Sequence, residues 1–461
     1  MASHNFSSLP LSGPQITNLD ALGYRQMTPV QAQALPHILN GKDLIARAKT
    51  GSGKTAAFGI GLIHLLKPQL RAVQALIICP TRELADQVGN EIRKLSRYVA
   101  NIRLVMLCGG KPFRPQQNTL EHGAHIVVGT PGRIQDHLDK ATLSLDHINI
   151  LVLDEADRML DMGFIDVINK IIAKTPKSRQ TLLFSATYPD TIQQMCRSIL
   201  RKPVTVTLES EHKPGIIEQL FYQVKKHERN NALLALFEHY KPLSTVVFCH
   251  TKKQCDEVAL FLNNHRVQAM AIHGDLDQRQ RDQVLVQFSN HSCPVLVATD
   301  VAARGLDIKA LQAVINFELP RDADVYIHRI GRTGRAGNSG LGLSLFTEAE
   351  QVRLNAIEQY QKKPCICDVP ASLDRDSDFI LQSPMQTIRI DAGRKNKIRP
   401  GDILGALTGD AGLHSDLVGK IDIFDNFSYV AINRSAISQA LRYLSNGKIK
   451  ARSVRAYKIH S

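Results

Sequence analysis

What most constrains this chain is a rhythm. Short apolar runs recur between longer amphipathic stretches: Ala75–Cys79, Leu104–Cys108, Ile126–Val128, Ile150–Leu153 and Thr181–Phe184. After a pause they resume as Leu220–Val224, Thr245–Cys249, Ala269–Ile272, Val295–Ala298, Ala313–Phe317 and Leu341–Phe346. Runs without polar alternation read as strands buried on both faces, and helix-length segments between them imply a parallel sheet covered by helices. The pause, Glu209–Gly215, is polar and broken by Pro and Gly, as a linker is. Two α/β domains, 1–208 and 216–362, are therefore expected. Beyond a second boundary at Lys362–Gln382 the order becomes β-α-β-β-α-β. Strands are expected at Gln386–Asp391, Val418–Ile423, Phe427–Asn433 and Val454–Ile459, with helices at Gly401–Leu407 and Ser435–Leu444. A small α+β domain over 385–461 completes the expected architecture.

Charge narrows the class of partner. The chain carries a net charge of +14, and from Met385 to Ser461 there are 13 Lys/Arg against 6 Asp/Glu, half of that excess. A basic balance of this size attracts polyanions, nucleic acid above all, although an anionic membrane surface would serve the same charge. No segment approaches the ~20 apolar residues of a membrane span. Met1–Pro14 has neither the basic start nor the apolar core of a secretory signal. Eight cysteines in 461 residues are too sparse for a disulfide scaffold, and Cys365 and Cys367 lack a matching Cys/His pair for zinc. A cytoplasmic protein with reduced thiols and no membrane association is expected.

The chemistry is concentrated in two motifs. Ala48-Lys49-Thr50-Gly51-Ser52-Gly53-Lys54-Thr55 fits a phosphate-binding loop at every position but the first, where Ala48 stands for Gly. Its glycines let backbone N–H groups turn towards phosphate oxygens. Lys54 reaches the β- and γ-phosphates, and the Thr55 hydroxyl is suited to Mg²⁺. Downstream, the apolar run Ile150–Leu153 ends in Asp154 and Glu155. A carboxylate pair at the end of a buried strand places Asp154 to hold Mg²⁺ and Glu155 to polarise an attacking water.

Asp154-Glu155-Ala156-Asp157 is the sequence that gives the DEAD-box RNA helicases their name, and the remaining motifs of that family follow in order over about Phe6–Thr347. The chain is identified by this resemblance as a member, with two RecA-like parallel-sheet domains in tandem and an RRM-like C-terminal domain. Gly23–Gln31 resembles the family's Q motif, with Met27 where Pro is usual. The likeness implies ATP as the nucleotide, with Gln31 on the adenine edge, Tyr24 stacked on the ring and Phe6 as the upstream aromatic. Ala48 at the loop's start is itself the family's habit. Ser185-Ala186-Thr187 resembles the interdomain coupling motif. Pro80, Thr81, Arg82, Gly110 (after Gly109), Thr130, Pro131, Gly132 and Arg133 resemble first-domain RNA-backbone contacts. In the second domain Val247–Thr251, Gln278 with Arg281, Ala298–Asp307 and His328–Gly337 match further motifs. By resemblance Thr251 and Thr299 face the RNA backbone, Asp307 contacts the ribose, and Arg332 and Arg335 reach the γ-phosphate.

The implied activity is RNA-dependent ATP hydrolysis coupled to local separation of short RNA duplexes. An ATP-gated RNA clamp or assembly platform without productive unwinding is the alternative the motifs leave open. In the tail, alternation puts Phe427, Tyr429 and Ala431 on one strand face and Val430 and Ile432 towards the helices, so the aromatics either stack on bases or pack. Arg394, Lys395, Lys397 and Arg399, four charges in a seven-residue loop, are the stronger RNA-binding candidates, and Lys448, Lys450, Arg452 and Arg455 form a second basic cluster. A DEAD-box core with such a tail resembles bacterial helicases whose targets, by that resemblance, are a 23S ribosomal RNA hairpin and precursors of the large ribosomal subunit. A monomer is expected.

Overall fold

A computed structural model describes residues 5–48, 51–188, 190–207, 217–303, 311–334, 339–376, 378–450 and 452–459. The chain forms two compact units that divide near residue 211. The first holds a seven-stranded sheet of β1 (Leu44–Arg47), β2 (Ala75–Ile78), β3 (Leu104–Leu107), β4 (Ile126–Gly129), β5 (Ile150–Asp154), β6 (Gln180–Ser185) and β7 (Val204–Thr207). Their spatial order is β3-β4-β2-β5-β6-β1-β7, and every pairing is parallel. Burial matches the sequence reading: β2, β4, β5 and β6 are buried along their whole length. One face packs on an apolar layer that includes Phe58, Ile92 and Phe184, the other on one that includes Met159, Ile168 and Ile192. β7 was not anticipated. Its Val-Thr alternation sits at the sheet edge, where only Val206 is buried and no apolar run is needed.

The second unit contains two sheets. β8 (Ile217–Gln223), β9 (Thr245–Cys249), β10 (Ala269–Ile272), β11 (Val295–Thr299), β12 (Ala313–Asn316), β13 (Gly340–Phe346) and β14 (Ile366–Asp368) form a parallel sheet in the order β10-β11-β9-β12-β13-β8-β14. β14 corrects the expectation that Lys362–Gln382 is only a boundary. This segment adds an edge strand, and Leu373 and Leu381 enter the core beside Phe237 and Leu345. An edge strand needs ladder bonds on one side only, so flanking Pro364 and Pro370 do not prevent it. The Glu209–Gly215 linker lies outside the described residues.

The third domain follows the expected order. β15 (Met385–Ile390), β16 (Val418–Ile423), β17 (Ser428–Asn433) and β18 (Ala456–Lys458) pair antiparallel as β16-β17-β15-β18. The helices Pro400–Gly405, continued by a π-helical turn Ala406–Asp410, and Ile437–Asn446 cover one face, with Ile388, Ile403, Leu407, Val430, Ile432 and Leu444 between the layers. The other face is covered in part. Tyr429 and Ile459 pack on Val286 of the second domain's helix Gln278–Ser289. Asn290 Nδ2 donates to Thr387 Oγ1 at 2.9 Å, Thr387 Oγ1 lies 2.9 Å from Ser292 Oγ, and Arg434 Nε donates to Ser383 O at 2.6 Å. Among the described residues no helix is long and apolar enough to cross a membrane.

Candidate active site

β1 delivers the chain into the phosphate loop, which ends where Gly53 caps the helix Lys54–Leu65. Gly51 and Gly53 have φ of 85° and 95°, in the left-handed region that residues with a Cβ avoid. Gly53 is also required by crowding, since a Cβ there would lie 2.6 Å from Gln31 Nε2. Gln31 is the bracket between the Q segment and the loop: its Oε1 accepts from Thr28 N at 2.9 Å and its Nε2 donates to Gly53 O at 3.1 Å. Lys54 is buried and its Nζ donates to Ala48 O at 2.9 Å, while Ala48 N donates to Ser185 O at 3.0 Å. Ser52 and Thr55 are half-buried beside it. Lys49 and Thr50 lie outside the described residues. The helix N-terminus adds backbone donors and a favourable dipole for phosphate.

β5, in the middle of the sheet, ends at Asp154, paired in register with Phe184 of β6. Asp154 is buried and its Oδ1 has no hydrogen-bond partner among the described residues. Burial raises its pKa; Lys54 opposes that rise and Glu155 adds to it. A buried carboxylate oxygen left open, with Lys54 of the phosphate loop acting on it, is the kind of donor a hard cation takes, as is the Thr55 hydroxyl. Glu155 turns the chain with φ 54° and ψ 53°, a left-handed conformation that costs a non-glycine residue on the order of 1 kcal/mol or more. That turn brings its carboxylate to Arg158, whose Nη1 lies 2.7 Å from Glu155 Oε2 in a buried ion pair. Asp157, buried two residues further on, ties this segment to the next motif. Its Oδ2 accepts from Ala186 N at 3.1 Å, Thr187 N at 2.8 Å and Thr187 Oγ1 at 3.0 Å, and its own N–H donates to Ser185 Oγ at 3.3 Å. Ser185 Oγ donates in turn to Thr187 O at 2.6 Å.

Two members of this constellation were not singled out from the sequence. Asp157 is the last letter of the motif, and Arg158 stands three residues after Glu155, the spacing that brings helical side chains together. Tyr24 lies edge-on to buried Phe6, with ring centroids 6.3 Å apart, and its hydroxyl donates to Glu91 Oε1 at 2.5 Å. Burial and that carboxylate raise the Tyr24 pKa.

The residues expected at RNA cluster at the carboxyl ends of strands, where open parallel sheets present loops and helix N-termini. After β2, buried Pro80 leads to Thr81, whose Oγ1 accepts from Leu84 N at 3.3 Å and caps the helix Arg82–Leu95. After β4, Thr130 precedes the helix Pro131–Asp139, in which Gly132 is exposed. Arg82 lies against Gly109 and Gly110, so closely that a Cβ on Gly110 would sit 2.1 Å from Arg82 Nη1. Arg133 Nη1 donates to Lys111 O at 2.9 Å.

The second domain repeats the arrangement. Thr251 Oγ1 accepts from Gln254 N at 3.2 Å at the start of the helix Lys252–Asn264, and Thr299 Oγ1 accepts from Ala302 N at 3.4 Å at the end of β11. Arg329 is buried and held bidentately by Asp300, with Nε and Nη2 at 2.7 Å from Oδ1 and Oδ2, and by Asn316 Oδ1 at 2.8 Å. Arg332 is buried three residues on. Asp307 and Arg335 lie outside the described residues.

In the third domain Tyr429 is buried against Val286, and Phe427 stacks on Phe424 with centroids 5.0 Å apart under the Arg389 guanidinium. Tyr429 is therefore packed, Phe427 is half-buried, and Tyr457, paired with Arg389 on the same face, is exposed. Arg394, Lys395, Lys397 and Arg399 are all exposed, and Arg394 also donates to Ile423 O at 2.9 Å. Lys450 Nζ donates to Lys397 O at 3.2 Å, so the two basic clusters separated in sequence share one edge of the domain.

Comparison with known proteins agrees with this geometry. Residues 28–195 match the DEAD/DEAH box helicase family, residues 225–337 the helicase conserved C-terminal domain, and residues 387–458 the DbpA RNA binding domain. The chain is 50% identical over 451 residues to the ATP-dependent RNA helicase DbpA of Escherichia coli K12, an alignment that covers 98% of each protein. It is 44% identical over 359 residues to the ATP-dependent RNA helicase CshA of Listeria monocytogenes, covering 78% of this chain and 69% of that protein. Among solved structures, Dbp5 of S. cerevisiae bound to RNA and ADP BeF3 is similar at a TM-score of 0.73 and 30% identity, covering 80% of this chain and 96% of that one.

Proposed function

We propose that this chain, which belongs to the DEAD-box ATP-dependent RNA helicases and carries the DbpA type of RNA-binding domain, uses its third domain to direct RNA-dependent ATP hydrolysis to a hairpin of 23S ribosomal RNA. The biological output would be local unwinding during assembly of the large ribosomal subunit. The observation that carries the targeting role is the joined basic edge: Lys395, Lys397 and Arg399 with Lys450 are exposed, while Tyr429 on the aromatic sheet face is buried.

In this reading Gln31 and Tyr24 select the adenine and the phosphate loop holds the triphosphate. Thr55 and Asp154 would hold Mg²⁺, which neutralises phosphate charge when bound. Glu155 orients the attacking water through its carboxylate, and Arg158 fixes where that carboxylate points. Arg332 and Arg335 supply positive charge to the transferring phosphoryl group, a contribution worth roughly 10³–10⁵ in rate where it has been measured in related chemistry. The Asp157–Thr187 bonds give the motor a route by which changes around the hydrolytic carboxylates reach Ser185-Ala186-Thr187. RNA contacts through Arg82, Gly110, Thr130, Arg133, Thr251 and Thr299 go to the backbone and carry little sequence information. A separate targeting domain is therefore needed for choice of RNA.

Replacing Lys395, Lys397 and Arg399 together by Ala in the full chain tests the reading. Binding to the hairpin and to a scrambled control is titrated at several salt concentrations. The slope of log affinity on log salt should flatten by roughly 0.7 for each lost contact to single-stranded RNA, and preference for the hairpin should fall. An unchanged slope and an unchanged preference would reject the basic edge as the address. Substitution is the sharper test, because deletion of 385–461 would also bare Val286 and its neighbours.

A further inference from the structure

We propose that His137, Phe113 and Gln116 are positioning residues that set the shape of the first domain's RNA surface by joining the loop after β3 to the helix after β4. The inference rests on Gly110, Thr130 and Arg133 being backbone contacts for RNA. These groups follow different strands, and among the described residues β3 is the edge of the sheet with β4 as its one neighbour. Among the described residues the loop after β3 therefore has no strand on its outer side to hold it.

What holds it is a chain of directional contacts. Gln116 Nε2, on the helix Phe113–Glu121, donates to Cys108 O at 3.1 Å, next to Gly109. That bond turns Gln116 Oε1 towards His137 Nε2, 3.3 Å away on the helix Pro131–Asp139. With Gln116 Oε1 facing it, Nε2 carries the imidazole proton, and the Thr142 hydroxyl, 2.8 Å from Nδ1 and 3.1 Å from His137 O, shares its one proton between these two acceptors. Its ring lies flat on Phe113, with centroids 4.0 Å apart and planes inclined by 13°, and Lys140 Nζ is 4.2 Å from the Phe113 centroid.

His137 is fully buried. Burial, with Arg133 and Lys140 nearby and Asp136 opposing them, lowers its pKa to about 4, so the ring is neutral at ordinary pH and can keep this one tautomer. An apolar side chain would fill the space but tolerate sliding, whereas bonds at both ring nitrogens fix distance and angle. Arg133 lies on the same helix four residues before His137 and itself holds Lys111 O. Displacement of the imidazole therefore moves both ends of the RNA surface.

The test is steady-state ATP hydrolysis by the full chain against concentration of a short oligouridylate. His137→Phe keeps the ring and removes both nitrogens; His137→Gln keeps a donor for Gln116 and removes the stack. His137→Phe should raise the RNA concentration for half-maximal rate about tenfold, while the maximal rate and the ATP requirement stay within about twofold. His137→Gln should recover part of that loss. Phe113→Leu, at a half-buried position, should give the same split and serves if His137→Phe does not fold. A folded His137→Phe or Phe113→Leu protein with the parental RNA requirement would overturn the proposal, as would parallel losses of maximal rate and ATP affinity. A parent that RNA fails to stimulate would instead overturn the RNA reading on which it rests.

Discussion

The first domain's sheet and the third domain's sheet place their chemistry by opposite rules. The parallel sheet is buried on both faces, so groups that meet solvent must follow the strand ends. Ala48, Thr81, Thr130 and Glu155 follow β1, β2, β4 and β5, and Ser185 closes β6. The antiparallel sheet has one face free of its own helices, but Thr387, Tyr429 and Ile459 use that face to join the second domain. The function proposed above assigns RNA contact in the third domain to its basic edge. The same residue type thus means different things in the two places. Thr81 after a strand end in the first domain caps a helix, whereas Thr387 in the third is a buried link between Asn290 and Ser292.

The first way to break this comparison is at a strand end. Glu155→Gln should retain ATP binding, because the amide preserves shape, yet lower turnover at saturating RNA by roughly 10² or more, the usual worth of a positioned proton acceptor. Single-turnover hydrolysis with a parallel nucleotide-binding titration checks it, and parental turnover would remove Glu155 from the role given to it.

The second concerns the joined face. Tyr429 is almost wholly buried, so Tyr429→Ala should cost about 3 kcal/mol or more of the second unit's stability, as other large-to-small core changes do. Thermal or denaturant unfolding reads this directly. A base-stacking Tyr429 would behave otherwise, losing RNA affinity with little change in stability, and that outcome would make the two sheets alike.

Legibility in the sequence divides along the same line. Strands buried on both faces announce themselves as apolar runs, and phosphate chemistry fixes residue types at fixed offsets, so β5 with Asp154 and Glu155 could be read directly. Edges were not legible, because β7 and β14 need no continuous apolar run. Nor were contacts between motifs. Gln31 and Gly53 are 22 residues apart, Asp157 and Thr187 are 30 apart, and the Thr387–Ser292 link spans 95. The alternation in β17 was readable and held, with Val430 and Ile432 in the domain's own core. What covered the opposite face was not readable, since an aromatic facing RNA and an aromatic facing a neighbouring helix leave the same pattern.

The most direct measurement is hydrogen exchange of the full chain with and without the 23S hairpin. New protection is expected at 394–399 and 448–450, with β17 and the helix Gln278–Ser289 already protected in the free protein and unchanged on binding. Protection that appears in β15 and β17 only when RNA binds, with none at the basic edge, would contradict it.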